Sequence, residues 1–381
     1  MSLKQKKHLH IIDLEVPYPT DFGGVYDLFY KLPALQAQGV AIHLHCFTKN
    51  RSPQDILKKY CVSVDYYQRK VGIKSLNSAM PYIVASRTSE RLVENLLKDD
   101  FPILMEGVHC TAITNDIRFK NRRKFVRLHN VEYQYYEQLY HNSTGFLKKL
   151  YFKNEKKLLA RYEADLVSKA TAFWTVTKAD EWVYRNQLQC KTADYLPLFL
   201  PAWHVTARPG MGFYCLYHAN LEVPENEAVA LWLLESVFSK IDTPLVIAGK
   251  NPSTALEAKA HEHLHTCLVA NPTEEAMQEM INKAHIHVLP SFSTTGIKIK
   301  LLNALFNGRH VVVNNQMIDG LGLENCCHLF ENAEGLCTLL PALFQKPFSA
   351  GEVENRATLL SQHFNNEAAA SQMISWIWGE G

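Results

Sequence analysis

PSFSTTGIKIKLLNALFNG, residues 290–308, sits between two apolar runs, Ala284–Leu289 and His310–Val313. The whole reads as strand, polar loop, helix and strand. Two strands joined through a helix in this way belong to a parallel sheet covered by helices. The small-residue turn aims the helix start, with Lys298 and Lys300, at whatever lies above that sheet. Helix starts are anion sites, because their first amide hydrogens have no intrahelical partner and the helix dipole favours negative charge.

The same rhythm extends upstream. Phe213–His218, Leu245–Ala248 and Cys267–Val269 read as strands. Helical stretches Asn226–Phe238, Ala255–His263 and a segment from Pro272 to Lys283 alternate with them. The first half repeats the pattern. His8–Leu14 is a strand, a loop holds Gly23-Gly24, Val25–Gln38 is helical with Leu28, Leu32 and Leu35 on one side, and Val40–Phe47 is the next strand. Pro33 inside that helix predicts a kink or a break. Further strands are expected at Ile103–Met105, Lys124–Leu128, Ala172–Val176 and Ala193–Leu196, around a helical region Gly145–Lys169 with an Arg161–Asp165 ion pair. Prolines 197, 201 and 209 mark the connection between halves. The expected division is 1–198, 199–364 and a terminal helix in 365–381. Each half is a doubly wound α/β domain, whose ligands lie at the C-terminal ends of the strands.

A chain of 381 residues exceeds what a single core usually fills, and 47% hydrophobic with 20% charged residues suits a folded globular protein. A net charge of +2 gives no reason to expect nucleic acid as a partner. No apolar run has membrane-spanning length, so a cytoplasmic location is expected; the basic clusters Lys4–Lys7 and Lys120–Lys124 are compatible with peripheral contact at the inner face of an anionic membrane. The nine cysteines lack metal-like spacing and read as reduced, mostly buried thiols. His8 and His10, His43 and His45, and His261, His263 and His265 have no acids at matching spacing, so no metal is expected.

Two loop mouths could carry chemistry. Gly23 and Gly24 would let a phosphate or sugar approach the backbone before a helix start. The run Arg127–Glu132, RLHNVE, ends a strand with a cation, the imidazole of His129 and the carboxylate of Glu132; Glu106, followed by Gly107, is similarly placed. A local salt-bridged turn is the alternative reading of that run.

These pieces follow one another with Trp174-Thr175-Val176-Thr177, Asp180, the Leu245–Pro252 run LVIAGKNP, Gly296–Leu305 with Gly308, Val311–Val313 and Asp319-Gly320-Leu321. Their order and spacing resemble the family 4 glycosyltransferases of group 1. That family has two Rossmann-like domains facing each other across a cleft, the GT-B arrangement. The resemblance implies a retaining transfer of a sugar from a nucleotide-diphosphate sugar, held by the second domain, to a sugar, glycan or lipid-linked acceptor on the first. No cofactor beyond that donor is implied. By the same resemblance Gly23, Gly24, Gly296, Lys298 and Lys300 would meet the diphosphate and Asn303 the ribose. His129, Glu106 and Thr295 would orient the donor sugar. The chain departs from the family at Thr295 and Asn303, where two glutamates are usual. It departs again at Ala219–Pro224, where an arginine and a lysine are usual; Lys250 is the candidate substitute. A catalytically degenerate binding or scaffold protein on the same fold is the alternative.

Overall fold

The computed structural model describes residues 7–20, 23–72, 79–143, 145–292 and 298–379. The chain divides into two compact units, Met1–Pro201 with Phe364–Gly381 and Ala202–Thr294 with Lys298–His363.

The first unit contains strands β1 (Lys7–Asp13), β2 (Val40–Thr48), β3 (Ser63–Gln68), β4 (Ile103–Glu106), β5 (Lys124–Leu128), β6 (Ala172–Thr175) and β7 (Ala193–Tyr195). They form one parallel sheet in the order β3-β2-β1-β4-β5-β6-β7. Ile11, Ile42, Leu44, Leu104 and Val126 are buried, as expected of strands covered on both faces. The second unit contains β8 (Cys215–Asn220), β9 (Leu245–Lys250), β10 (Thr266–Ala270), β11 (Ile286–Val288), β12 (His310–Val313) and β13 (His328–Leu329), parallel in the order β10-β9-β8-β11-β12-β13. Both sheets start in the middle, wind outward and then reverse. The reversal leaves a crevice between β1 and β4 in one unit and between β8 and β11 in the other.

The helix Gly23–Ala37 continues through Pro33, so the expected break does not occur. A proline inside a helix removes one hydrogen bond at a cost of about 3 kcal/mol. The buried stripe Leu28, Leu32 and Leu35 offsets that loss, because it packs into the core that also takes Ala370, Met373 and Ile377. Those last three belong to the terminal helix Asn366–Trp378, which therefore completes the first unit. The expected Arg161–Asp165 pair is replaced: Asp165 pairs with Lys169, one turn in the other direction. Among the described residues, no helix is long and apolar enough to cross a membrane.

Close strand approach in the second unit depends on Gly249. A Cβ there would lie 2.0 Å from the carbonyl oxygen of Ala219 on the neighbouring strand. Gly249→Ala is expected to destabilise this unit by about 3 kcal/mol, the upper range for overpacking. Chemical denaturation followed by tryptophan fluorescence checks it, and an unchanged midpoint would mean β8 and β9 can separate freely.

Candidate functional site

In the second unit the crevice between β8 and β11 is bordered by two helix starts, those of Pro224–Leu233 and Ile299–Asn307. Pro224 opens the first, where its missing amide hydrogen costs nothing. Its first turn brings Glu225 and Asn226 to the mouth. Lys300 Nζ donates to Asn226 Oδ1 at 3.1 Å and lies 5.3 Å from the ring centroid of Tyr217 on β8. Lys298 Nζ reaches Ser291 Oγ at 3.5 Å, and Ser291 is tied through its backbone to the Asn314 carboxamide. Glu225 Oε1 lies 3.5 Å from the same Ser291 hydroxyl. Burial, and secondarily Lys298, pulls the Lys300 ammonium down to about 8, with Glu225 offsetting part of the shift. Among the described residues no carboxylate stands within ion-pair distance of Lys300. A partly desolvated cation held this way stabilises an incoming anion.

The other donor-side expectations are placed as follows. Thr295 and Gly296 lie outside the described residues. Asn303 is half-buried, and its carboxamide oxygen accepts from Asn307 at 2.8 Å, while Asn307 accepts from the Thr206 hydroxyl at 2.7 Å. Asn303 is thus part of a side-chain chain inside the unit. Lys250 is exposed at the end of β9, and its carbonyl holds the Leu221 and Glu222 amides.

In the first unit the crevice between β1 and β4 is occupied by charge. Glu106 ends β4, followed by Gly107 at φ +76°, and His129 follows β5. Both glycines, Gly23 and Gly24, open the helix that carries Asp27 and Lys31 one and two turns on. Lys31 Nζ lies 2.6 Å from Glu106 Oε1 and 3.0 Å from Asp27 Oδ2. Arg127 grips Asp27 with two bonds, 2.9 and 3.1 Å, and also donates to the carbonyls of Thr175, Leu196 and Pro197. His129 Nε2 sits 3.2 Å from Glu106 Oε2 and 3.6 Å from Asp27 Oδ2. Asp27, Lys31, Glu106 and Arg127 are all 0% exposed.

The electrostatics follow from these contacts. Burial would push Asp27 and Glu106 up, but Arg127 and Lys31 beside the first, and Lys31 and His129 beside the second, hold both below the usual carboxylate range. Burial would lower His129, but the two carboxylates raise it above the ordinary histidine value. His129 thus joins Lys31 and Arg127 as a third basic group facing the two carboxylates. Glu106 Oε1 is held by Lys31, while its Oε2, which faces His129, has no hydrogen-bond partner among the described residues. Asp13, at the end of β1, is pushed well above the usual range by burial and then by Glu106. Asp13, Asp27 and Lys31 were missed in the sequence. A signal was available for the last two, since positions 27 and 31 fall within the Leu28, Leu32, Leu35 stripe.

Glu132 has a different environment. It starts the helix Glu132–Asn142, unread in the sequence, and its neighbour Glu163 accepts from the Glu132 and Tyr133 amides and from the Tyr184 hydroxyl. Burial, then the charge of Glu163, pushes Glu132 up to about 8 from its ordinary 4.5. The folded state keeps a proton that the unfolded chain loses, so stability falls as pH rises between those values. Glu132→Gln is expected to match wild type near pH 5 and to exceed it at about pH 8 by on the order of 2 kcal/mol. Urea denaturation at both pH values decides; a variant less stable at the higher pH would show that the fold uses the carboxylate.

The remaining candidates are structural. Lys124 is buried, with its ammonium on the carbonyls of Phe119, Lys120 and Arg122, and Arg122 pairs with Asp99, so the basic cluster Lys120–Lys124 is partly consumed by folding. Of Lys4–Lys7, only Lys7 lies within the described residues, in β1. His8 bonds His43 at 3.0 Å and His10 bonds His45 at 2.8 Å, a ladder across β1 and β2 that ends on Asp99 and Tyr67. All nine cysteines are free thiols and only Cys267 is exposed.

Comparison with known proteins bears on these two crevices. Residues 212–336, which include the Lys298 and Lys300 cluster, match the family model "Glycosyl transferases group 1". A Klebsiella pneumoniae protein described as an uncharacterized 44.6 kDa protein in cps region is 25% identical over 338 residues, covering 83% of this chain and 84% of that protein. Among solved structures, Anabaena HepE in complex with UDP and glucose has a TM-score of 0.64 at 10% identity, covering 98% of this chain and 99% of that one. An S. aureus TarM variant in complex with fondaparinux, alpha-GlcNAc-glycerol and UDP has a TM-score of 0.65 at 10% identity, covering 98% and 100%. At that identity the likeness is one of fold. The chain thus carries a glycosyltransferase group 1 domain at 212–336, within two α/β units whose fold is that of GT-B glycosyltransferases.

Proposed function

We propose that this protein is a retaining glycosyltransferase that moves a sugar from a nucleotide-diphosphate sugar to a sugar, glycan or lipid-linked acceptor. One observation carries the reading: Lys300, a half-buried lysine whose ammonium has no carboxylate in contact among the described residues, lies beside Lys298 at the switch point of the group 1 domain. A nucleoside diphosphate is the leaving group, and its charge grows as the glycosidic bond breaks. Cations and helix amides already in place stabilise that charge without reorganising. UDP in two structures of like fold supports a nucleoside diphosphate as the ligand class. His129, its imidazole raised by Asp27 and Glu106, supplies a hydrogen-bond donor toward the sugar, and Gly23 and Gly24, the first two residues of their helix, leave backbone open to the ligand. The acceptor belongs to the first unit in this reading.

A thermal-shift screen of the untagged chain against nucleotide-diphosphate sugars, followed by transfer assays with the donors that bind, tests the proposal. A ligand that binds only the folded state raises its melting temperature. No shift with any nucleotide sugar at millimolar concentration would overturn it. A second reading, a sugar-nucleotide binding protein without turnover, is favoured by the engagement of Asn303 with Asn307 and by the loop Ala219–Pro224, which brings no cation. Donor binding without transfer or hydrolysis would select it.

A further inference from the structure

At the opposite end of the second sheet from the Lys298 and Lys300 cluster, three separate elements bring metal-ligating side chains together. His310 opens β12, His328 opens β13, and Glu352 lies in the first turn of the helix Ala350–His363. His310 Nδ1 is 3.2 Å from His328 Nε2 and 3.8 Å from Glu352 Oε1, and one ligand atom from each lies within 4.8 Å of the others. Ligands at zinc distances of about 2.0–2.2 Å stand roughly 3.3–3.6 Å apart at tetrahedral corners, so these separations need little adjustment.

Second contacts fix the ligand atoms in the required state. His310 Nε2 lies 3.0 Å from the Lys346 carbonyl, which assigns the ring hydrogen to that nitrogen and turns the Nδ1 lone pair inward. Metal-binding histidines are oriented in this way by a carbonyl or carboxylate. The other oxygen of Glu352 accepts from the Ser349 amide at 2.9 Å and hydroxyl at 2.7 Å, which leaves Oε1 facing the histidines. A cavity of about 70 Å³, walled by Cys326, Cys327, His328, Phe348, Glu352 and Arg356, adjoins them and has room for a water ligand. Arg356 is turned away from the cluster: it donates to the Gly308 carbonyl at 2.7 Å and stacks 4.6 Å from the Phe348 ring centroid.

The contrast within the molecule is informative. Asp27, Glu106 and His129 converge as closely. Their carboxylates, however, already pair with Lys31 and Arg127, which leaves no excess negative charge for a cation. In the second cluster, among the described residues, no lysine or arginine stands within ion-pair distance of Glu352.

We propose that His310, His328 and Glu352 bind one divalent transition-metal ion of the zinc class, with water from the adjoining cavity as fourth ligand. The ion ties the two-residue edge strand β13 to the helix Ala350–His363 and so stabilises the second unit. It stands outside the sugar-transfer chemistry.

Untagged full-length protein, stripped with a chelator and dialysed, is titrated with zinc chloride by equilibrium dialysis and with cobalt chloride by visible absorption. One zinc per chain, a tetrahedral cobalt spectrum and a raised melting temperature are expected. His328→Asn and Glu352→Gln should each weaken zinc binding at least about 10-fold, in line with the loss of a ligand or its support. Absence of stoichiometric zinc binding by the wild-type chain at 100-fold excess overturns the site, as does unchanged affinity in both variants. Should His328→Asn fail to fold, Glu352→Gln decides, since Glu352 is partly exposed.

Discussion

Replacing Lys300 by Ala is expected to lower kcat/KM for nucleotide-sugar transfer by about 100- to 1,000-fold, the effect of removing one preorganised donor from a developing anion. The melting temperature of the second unit should stay the same or rise. A surface lysine would show neither result. Lys300 is half-buried, its ammonium donates to the Asn226 carboxamide, and desolvation, with Lys298 nearby, drags that ammonium down to about 8. Keeping that charge therefore costs the folded protein stability, which a bound diphosphate would return. Donor affinity should also fall as pH rises through about 8, where the free enzyme loses the proton, and this limb should vanish in Lys300→Ala. Lys298→Ala should preserve it. Steady-state kinetics across pH 6 to about 9.5 separate these outcomes. Unchanged kcat/KM in Lys300→Ala would remove the diphosphate from this site.

The second large effect is expected at Asp27, which no motif identified. Asp27→Ala should destabilise the first unit by about 3–5 kcal/mol, the usual result of removing one partner from a buried ion pair. Asp27 takes two bonds from Arg127, one from the Phe199 amide and an ion pair from Lys31, all without solvent. Its removal strands a buried guanidinium. Combining Asp27→Leu with Arg127→Met should recover part of the loss, but not all, because the Thr175, Leu196 and Pro197 carbonyls lose their donor. A double-mutant cycle in urea measures the coupling. A loss below about 1 kcal/mol in Asp27→Ala would show that the network is already hydrated. Asp27→Ala should also weaken catalysis beyond its effect on folding, because one of the two carboxylates that raise the His129 imidazole disappears.

The legible parts of the chain were those where one residue type dominates a local pattern. Lys124–Leu128 is an uninterrupted buried strand and was placed to the residue. β3 was missed because SVDYYQ is a half-exposed edge strand with little alternation. The helix Glu132–Asn142 was missed because EYQYYEQLYHN offers aromatic and polar residues with only Glu132 and Tyr136 buried. Lys298 and Lys300 were legible as residues of a helix start, since a helix start announces itself locally. The His310, His328 and Glu352 cluster was not, because its members come from two strands and a helix that meet only when the second sheet closes. The absence of metal-like spacing said nothing about such a meeting. Glu106 was found by position, but its surroundings depend on Lys31, whose place within the Leu28, Leu32, Leu35 stripe was the one local sign of its burial.

The terminal helix has a consequence for how the protein is made. Ala369, Ala370, Met373, Ile374 and Ile377 share a core with Leu9, Ile11 and Ile42, residues that leave the ribosome long before them. The second unit lies wholly between these two contributions and can complete its sheet first. The earlier-synthesised unit must wait with an uncovered apolar face until the last helix emerges. Completion of the first unit thus depends on the helix Asn366–Trp378, and a chain cut after His363 would hold every segment of the second unit beside an unfinished first.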